Sequence, residues 1–240
     1  MENIELNMDE RIDEIASSGV KIIQSREVFS FSIDAILLAR FPRLPKRGKI
    51  VDLCAGNGAV GLFASSKTNA QIIELEIQER LADMATRSIE LNGLNDRMSV
   101  INDNLNRALD HLHTSSADLI FCNPPYFKLN KGSYINTEES LAIARHEIKT
   151  NIEEIVMTAK YILKNKAPLY LVHRPERLME LINILTKYKF SVKKLQFVYA
   201  GYQKSAIMVL IKATKNGSDG LIINPPVNVL EHRSYKRIFE

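Results

Sequence analysis

The chain has 240 residues, of which 45% are hydrophobic and 25% charged, and its formal net charge is +4. This composition is typical of one compact globular domain and excludes a disordered, fibrous or membrane-spanning chain. No apolar run approaches the roughly 20 residues of a membrane helix, and the start MENIELNMDER is acidic and has no leader pattern, so we expect a cytoplasmic protein without a membrane partner. The charge is compatible with a polyanionic partner but does not select one. Cys54 and Cys122 have no metal or disulfide spacing, so we expect small buried residues and no metal.

Residues 1–45 differ in pattern from the rest of the chain and predict an N-terminal extension that packs on the core. GVKII and VFSFS have the composition of short strands, and IDAILLARF predicts a helix with Ser32 as its cap. The stretch LPKRG at 44–48 is the best candidate linker. We therefore divide the chain into this extension, 1–45, and a main domain, 46–240.

From residue 49 onward, short apolar runs alternate with helical periodicities, which predicts the βα units of a mostly parallel sheet. The predicted strands are KIVDL (49–53), AQIIELE (70–76), MSVI (98–101), ADLIFC (117–122), APLYLV (167–172), KLQFVY (194–199) and AIMVLIK (206–212). The predicted helices cover 59–66, 78–92, 151–163 and 176–188.

The last two predicted strands are joined only by the turn-like AGYQKS, which is too short for a parallel crossover. They should therefore pair as an antiparallel hairpin. A mostly parallel, seven-stranded sheet that ends in such a hairpin resembles the Rossmann-like fold of methyltransferases rather than that of the dinucleotide dehydrogenases.

A glycine-rich turn follows the first strand of the main domain, with the sequence DLCAGNGAVG at 52–61. Glycine lets a backbone approach a ligand closely, and the start of the following helix offers unpaired N–H groups. We take Asp52, Cys54, Gly56, Asn57 and Gly58 as candidate cofactor-binding residues. The pattern D-x-x-x-G-x-G differs from the dehydrogenase pattern, but the spacing of its glycines fits both, and an ordinary tight turn would also produce it.

Two acidic residues follow the next two strands. Glu76 ends the second strand and can accept hydrogen bonds from ribose hydroxyls, and Asp103 follows the third and can accept one from an adenine amine. A carboxylate in the position of Glu76 is expected for a dinucleotide and for S-adenosylmethionine alike. We expect the side chain of Glu74 to point the opposite way, which leaves Glu76 as the better candidate.

The most informative motif is Asn123-Pro124-Pro125-Tyr126, which directly follows the strand ADLIFC. Two prolines cannot continue a central strand, so they predict a rigid turn at the carboxyl edge of the sheet, where open α/β folds bind ligands. The side-chain oxygen of Asn123 and the carbonyl of Pro124 can both accept from one NH2 group, which frees the nitrogen lone pair to attack the methyl group of a sulfonium. Tyr126 can stack on a planar substrate. We take these four residues as the catalytic candidates, with Asn123 also against the cofactor.

A second copy, NPPV at 224–227, has no aromatic residue and follows the last predicted strand. We interpret this copy as a turn in a C-terminal tail.

The segments DLCAGNGAVGLFAS and DLIFCNPPYF resemble S-adenosylmethionine-dependent enzymes that methylate amino groups. The stretch ERIDEIASSGVKIIQSREVFSFSIDAILLARF narrows the resemblance to bacterial tRNA (adenine-N6) methyltransferases that act on a valine tRNA beside its anticodon, at position 37. The resemblance implies S-adenosylmethionine as cofactor and tRNA as partner, and it implies that Phe31, Ser32 and Asp34 line the cofactor pocket. Methylation of a glutamine side chain in release factors is the alternative that shares this motif.

Two other classes remain less favoured: a binding module for nucleotide or RNA without chemistry, and a nicotinamide-dependent oxidoreductase. The segment 127–150, which contains His146 and Glu147, is compatible with a substrate-gating loop or an ordinary surface. Candidate phosphate contacts are Arg174, Arg177, Lys193, Lys194, Lys204, Arg233, Lys236 and Arg237. The oligomeric state stays open, with a monomer favoured.

Overall fold

A computed structural model describes residues 4–15, 18–28, 33–125, 151–201 and 204–230. The strands are β1 (Glu10–Glu14), β2 (Lys21–Ser25), β3 (Lys49–Leu53), β4 (Gln71–Glu76), β5 (Met98–Asn102), β6 (Leu119–Cys122), β7 (Pro168–His173), β8 (Phe190–Tyr199), β9 (Ala206–Lys215), β10 (Ile222–Ile223) and β11 (Val227–Asn228). The helices are α1 (Ile33–Arg40), α2 (Ala59–Ser65), α3 (Glu79–Leu91), α4 (Ala108–His111), α5 (Ile152–Ile162) and α6 (Leu178–Lys187).

The main sheet has the strand order β10-β8-β9-β7-β6-β3-β4-β5, and β11 also pairs with β8. Strands β3 to β7 are parallel to one another, whereas β9 is antiparallel to both β7 and β8. All seven predicted strands and the predicted antiparallel hairpin are therefore confirmed. Within the described residues the sheet has nine strands, because two short strands that we did not predict extend its edge.

The added strands correct the interpretation of the second Asn-Pro-Pro copy. Residues 224–226 connect β10 to β11, and both strands run parallel to β8. The amide of Asn224 donates to the carbonyl of Leu195 at 2.8 Å, and the side chain of Gln196 donates to the carbonyl of Pro225 at 3.0 Å. The segment is thus part of the sheet edge, where proline is tolerated, and not a tail beyond the last strand.

The core lies on both faces of the sheet, because neighbouring residues of a strand point to opposite sides. Along β3, Ile50 packs with α1 and α2 on one face, and Val51 packs with α5 and α6 on the other. This arrangement explains why the parallel strands appear in the sequence as continuous apolar runs. Helix α5 begins with a capping box in which Asn151 accepts from the amide of Glu154 at 2.8 Å, which fixes the start of the predicted helix.

The N-terminal residues form a hairpin of β1 and β2 that packs on α3. We predicted the second strand but missed β1, and the proposed strand VFSFS and its cap Ser32 fall largely outside the described residues. The outer edge of β2 bonds to side chains of α3 and of the residue that follows it: the amide of Ile23 donates to Ser88 Oγ at 2.9 Å, and that of Lys21 donates to Asn92 Oδ1 at 2.8 Å. The division at residues 45 and 46 stays a prediction.

Within the described ranges, no helix has both the length and the apolar character needed to cross a membrane.

Candidate active site

The candidate site lies along the carboxyl edge of four neighbouring strands, in the order β6-β3-β4-β5. The Asn-Pro-Pro turn follows β6, the glycine-rich turn follows β3, Glu76 ends β4, and Asp103 follows β5. Leu53 and Cys122 are register partners, so the glycine-rich turn and the Asn-Pro-Pro turn leave the sheet side by side. Segments that are about 70 residues apart in the sequence therefore meet at one edge, as the parallel topology predicts.

The backbone of the glycine-rich turn is left-handed at three positions, with φ of 61° at Cys54, 59° at Gly56 and 82° at Gly58. Gly58 is the residue that precedes α2, and no side chain caps that helix. Glycine adopts this conformation without strain, but a cysteine there costs about 1 kcal/mol or more. Such strain is common at ligand-binding turns.

The two cysteines of the chain meet at this point. The thiol of Cys54, which is partly exposed, contacts the thiol of buried Cys122. Burial, followed by the contact with Cys54, raises the pKa of Cys122 well above its usual value, so its thiol is neutral. The prediction that both cysteines are buried is wrong for Cys54, which lies in the turn beyond the end of β3 and is partly exposed.

Glu76 is the best-anchored acid of the site. Its carboxylate accepts hydrogen bonds from the amides of Gly56, at 2.8 Å, and Gln78, at 2.9 Å. The side chain is buried, and burial raises its pKa while the two amides oppose this rise. Glu76 thus connects the end of β4 to the glycine-rich turn, and its oxygens keep further acceptor capacity for hydroxyl groups.

Asp52 lies beneath the same turn and is fully buried. Neither of its carboxylate oxygens makes a well-formed hydrogen bond within the described part of the chain. Burial, with the charge of Glu76 as the next cause, raises the pKa of Asp52 to about 8, and the amide of Gly61 opposes this rise. A buried acceptor without a partner is costly, so this carboxyl group is suited to a ligand or water that binds at the turn.

The prediction that the side chain of Glu74 points away from the side of Glu76 is wrong. Residues two apart share one face of a strand, so Glu74 points to the same side as Glu76. Its carboxyl oxygens lie close to Gly58 and Gly61. A Cβ atom would stand 2.5 Å from them at Gly58 and 2.3 Å from them at Gly61. Glu74 is therefore a residue of this site that we overlooked, although the period of two in β4 was a sufficient signal.

Asn57 has a role that the motif did not indicate. Its side chain is buried, and Nδ2 donates to the carbonyl of Ile23 at 3.1 Å. The side chain thus ties the glycine-rich turn to β2 of the N-terminal hairpin. Any contact of Asn57 with a cofactor stays a prediction.

Asp103 is ionised and already has partners. Its carboxylate bonds to Nε2 of His111 at 2.7 Å, accepts from the amide of Asn104 at 2.7 Å and lies 3.5 Å from Arg107. The bond to His111 is the largest cause that lowers the pKa of Asp103. Contact with an adenine amine stays a prediction.

Asn123 is partly exposed, Pro124 is buried, and Pro125 is partly exposed, all immediately after β6. Asp34 is buried at the start of α1, where Oδ1 accepts from the amide of Ala35 at 3.0 Å. Predictions that fall outside the described residues concern Tyr126, Phe31, Ser32, the segment 127–150 with His146 and Glu147, and the basic residues Arg233, Lys236 and Arg237.

His173 ends β7 at the same edge of the sheet and was not among the candidates. It is fully buried, and burial, followed by the charge of Arg177, lowers its pKa to about 4. The amide of Arg174 donates to Nδ1 at 2.8 Å, so the neutral ring carries its proton on Nε2. No group of three or more His, Cys, Asp or Glu side chains in the described ranges is placed to hold a metal ion.

The sheet order and the edge site define the Rossmann-like fold of S-adenosylmethionine-dependent methyltransferases, as predicted. A crystal structure of a predicted O-methyltransferase from Agrobacterium tumefaciens matches with a TM-score of 0.66 and 23% identity, over 83% of this chain and 88% of that chain. The structure of P. horikoshii TYW2 in complex with MeSAdo matches with a TM-score of 0.61 and 17% identity, over 88% and 73%.

The chain belongs to the family described as Conserved hypothetical protein 95, whose profile matches residues 35–189. A curated relative, the tRNA1(Val) (adenine(37)-N6)-methyltransferase of Photobacterium profundum, is 23% identical over 188 residues, which are 77% of this chain and 77% of that protein. Further curated relatives carry the same name. The resemblance stated from the sequence is confirmed by these relatives.

Proposed function

We propose that this protein transfers a methyl group from S-adenosylmethionine to the N6 amine of adenine 37 in a valine tRNA, and that it does so in the cytoplasm. The observation that carries this proposal is the neighbouring position of two turns: Asn123-Pro124-Pro125 leaves β6 directly beside the glycine-rich turn that leaves β3. The name of the curated relatives supports the choice of tRNA and of adenine.

The residues of the glycine-rich turn fit a nucleoside cofactor with a charged amino-acid part. Asp52 offers a buried carboxyl group without a well-formed bond, and Glu76, which holds the amide of Gly56, stands at the end of β4 for the ribose. We assign Asp103 to the adenine of the cofactor and Asn57 and Cys54 to the walls of its pocket. S-adenosylmethionine supplies an electrophilic methyl group on a positively charged sulfur.

Asn123 and Pro124 would hold the accepting nitrogen. The amine donates one hydrogen to Oδ1 of Asn123 and the other to the carbonyl of Pro124, and both bonds orient the nitrogen lone pair toward the cofactor side of the edge. After methyl transfer the nitrogen carries an extra proton, which it releases readily, so this chemistry requires no strong base. Tyr126 would stack on the base, a contact worth about 1 to 3 kcal/mol, once the base is turned out of the RNA.

Substitution Asn123→Ala tests this assignment. We expect transfer of labelled methyl into tRNA to fall by about 10² to 10³-fold, the usual cost of losing one oriented hydrogen-bond partner of the reacting group. Binding of S-adenosylhomocysteine should change by less than about threefold.

The second copy of the motif provides a matched control. Asn224 also precedes two prolines, but it lies between β10 and β11 at the far edge of the sheet. Asn224→Ala should therefore leave methyl transfer unchanged. Full activity of Asn123→Ala would refute the role of Asn123.

Methylation of a release-factor glutamine, the alternative that shares the motif, is not favoured, because the curated relatives carry the name of a tRNA methyltransferase. A release factor added as a parallel acceptor separates the two. If label is found only in the release factor, the assignment of the site stands but the proposed substrate is wrong. If label is found in tRNA adenine, this alternative is excluded.

A further inference from the structure

A pair of buried carboxyl groups lies beneath the glycine-rich turn. Asp52 on β3 and Glu74 on β4 are register partners on neighbouring parallel strands, and neither side chain has any exposed surface. Among the described residues, none of their four carboxyl oxygens makes a well-formed hydrogen bond. The pair thus contrasts with Glu76, which is held by two amides.

Glu74 fills the hollow that the glycines leave open. A Cβ atom at Gly58 would stand 2.5 Å from Oε2 of Glu74, and one at Gly61 would stand 2.3 Å from Oε1. Both distances are shorter than any real contact of a Cβ atom. The absence of side chains at Gly58 and Gly61 is therefore what admits the carboxyl group between β4 and the start of α2.

The surroundings cannot stabilise two negative charges in this place. Helix α2 and the register neighbour of Glu74 on β5, Val100, carry no charge. The nearby ionisable groups are Glu76 and the thiol of Cys122, neither of which is a cation. Burial and then the charge of Asp52 raise the pKa of Glu74 well above its usual value.

We propose that Glu74 is a neutral carboxylic acid that positions the glycine-rich turn, and that Asp52 is the member of the pair that ionises, so that cofactor binding releases one proton from Asp52. The second part rests on the proposed function, because it requires a ligand with positive charge at the turn. S-adenosylmethionine carries a sulfonium and an ammonium group, and either would favour the ionised form of Asp52. The O–H bond of the Asp52 carboxyl group breaks, its electron pair stays on the carboxylate, and the proton passes to the solvent; no other covalent bond changes.

The first test uses the protein without any ligand and compares Glu74→Gln with the wild type. Folding raises the pKa of this acid, so the folded state favours its protonated form. Its contribution to stability is complete at a pH below the pKa of the unfolded state and is lost as the pH rises toward the pKa of the folded state. The neutral amide removes this loss, so the melting temperature of Glu74→Gln relative to wild type should increase steadily from pH 5 to pH 8.

Glu90→Gln is the matched control, because Glu90 is exposed on α3. Its melting temperature relative to wild type should not change with pH. If the melting temperature of Glu74→Gln relative to wild type stays constant from pH 5 to pH 8, or falls toward pH 8, Glu74 is ionised in the folded protein and this part of the proposal is overturned.

The second test measures the heat of binding of S-adenosylmethionine, without tRNA, in two buffers of different ionisation enthalpy. At pH 7 the wild type should release most of one proton, and at pH 9 much less, since burial raises the pKa of Asp52 to about 8. Asp52→Asn should bind more weakly and release none. Glu74→Gln should keep the wild-type affinity within about threefold and still release a proton, whereas Glu74→Ala should bind more weakly because the hollow is empty.

Binding without proton release, or loss of more than about tenfold in affinity in a folded Glu74→Gln variant, would overturn the proposal. The result is independent of the acceptor. Proton release together with no methyl transfer to tRNA would support the role of this pair while refuting the proposed substrate.

Discussion

His173 shows how a single buried side chain makes stability depend on pH. The ring is neutral because burial lowers its pKa to about 4, whereas an unfolded histidine titrates near 6.5. The folded state thus disfavours the protonated ring. The free energy of unfolding should therefore decrease progressively as the pH falls from about 6.5 to about 4. The shift corresponds to a loss of at most about 3 kcal/mol.

We expect His173→Gln to lack this contribution. Urea unfolding at pH 7 and pH 4.5 should give a smaller decrease in the free energy of unfolding for the variant than for the wild type. The same substitution at His113, which is exposed, should leave the decrease unchanged. An identical decrease in wild type and His173→Gln would show that His173 is not the responsible group.

At the scale of elements, the N-terminal hairpin is attached to the main sheet through α3. Arg87 of α3 bonds to Glu10 of β1 at 2.8 Å, and this pair lowers the pKa of Glu10 to about 2. The backbone of β2 bonds to Ser88 and, at Ile23, also to Asn57 of the glycine-rich turn. The hairpin, α3 and the turn should therefore unfold together.

Ser88→Ala tests this attachment. The change leaves the buried amide of Ile23 without its acceptor, which should reduce the free energy of unfolding by about 1 to 3 kcal/mol. Thr86→Ala is the control. The hydroxyl groups of Ser88 and Thr86 each donate to the carbonyl four residues earlier in α3, but Thr86 faces solvent. Denaturant titration should show a clear loss only for Ser88→Ala, and equal effects of the two changes would argue against the attachment.

At the scale of the whole molecule, two lysines form the best described candidate for RNA docking. Lys194 on β8 and Lys212 on β9 are register partners, and burial together with the charges of Lys194 and Lys193 lowers the pKa of Lys212. No ion pair neutralises them within the described ranges. Like charges placed opposite each other destabilise a sheet, and a bound phosphate would relieve this cost.

The position of these two lysines suits contact with a phosphate near the target adenine of the tRNA that binds at the site. Lys212 pairs with Tyr170, three residues before the end of β7, which places it about 10 Å below the edge of the site. The double variant Lys194→Gln, Lys212→Gln should weaken tRNA binding and lower the steepness of log affinity against log salt by about 1.4 to 1.8.

A double variant with the same loss of charge provides the control. Lys46 and Arg47 are exposed just before β3, at the amino ends of the parallel strands, whereas the site lies at their carboxyl ends. Lys46→Gln, Arg47→Gln should have a smaller effect on both the affinity and the slope. Equal effects of the two double variants would show that net charge, and not this position, controls binding. The favoured monomer stays an expectation that the same samples can check by light scattering.

The sequence by itself determined seven strands of the main sheet, the helices predicted to cover them and the residues of the two turns. Apolar runs at 49–53 and 119–122 must be buried on both faces, and glycine or two prolines directly after them stop the strand at its carboxyl end. These signals are local, because each depends on neighbours only a few residues away. For this reason the Asn-Pro-Pro turn and the glycine-rich turn were identified, together with the fold class.

The tertiary structure alone decided the contacts between segments that are distant in the chain. The bond of Asn57 to Ile23 spans 34 residues and that of Ser88 to Ile23 spans 65, and neither has a periodic signal in the sequence. The partners of Asp103, the short strands β10 and β11, and the Asp52–Glu74 pair likewise depend on which strands become neighbours. Burial, and with it the charge state of Asp52, Glu74 and His173, arises only when the sheet is assembled, because desolvation depends on every element packed around a group.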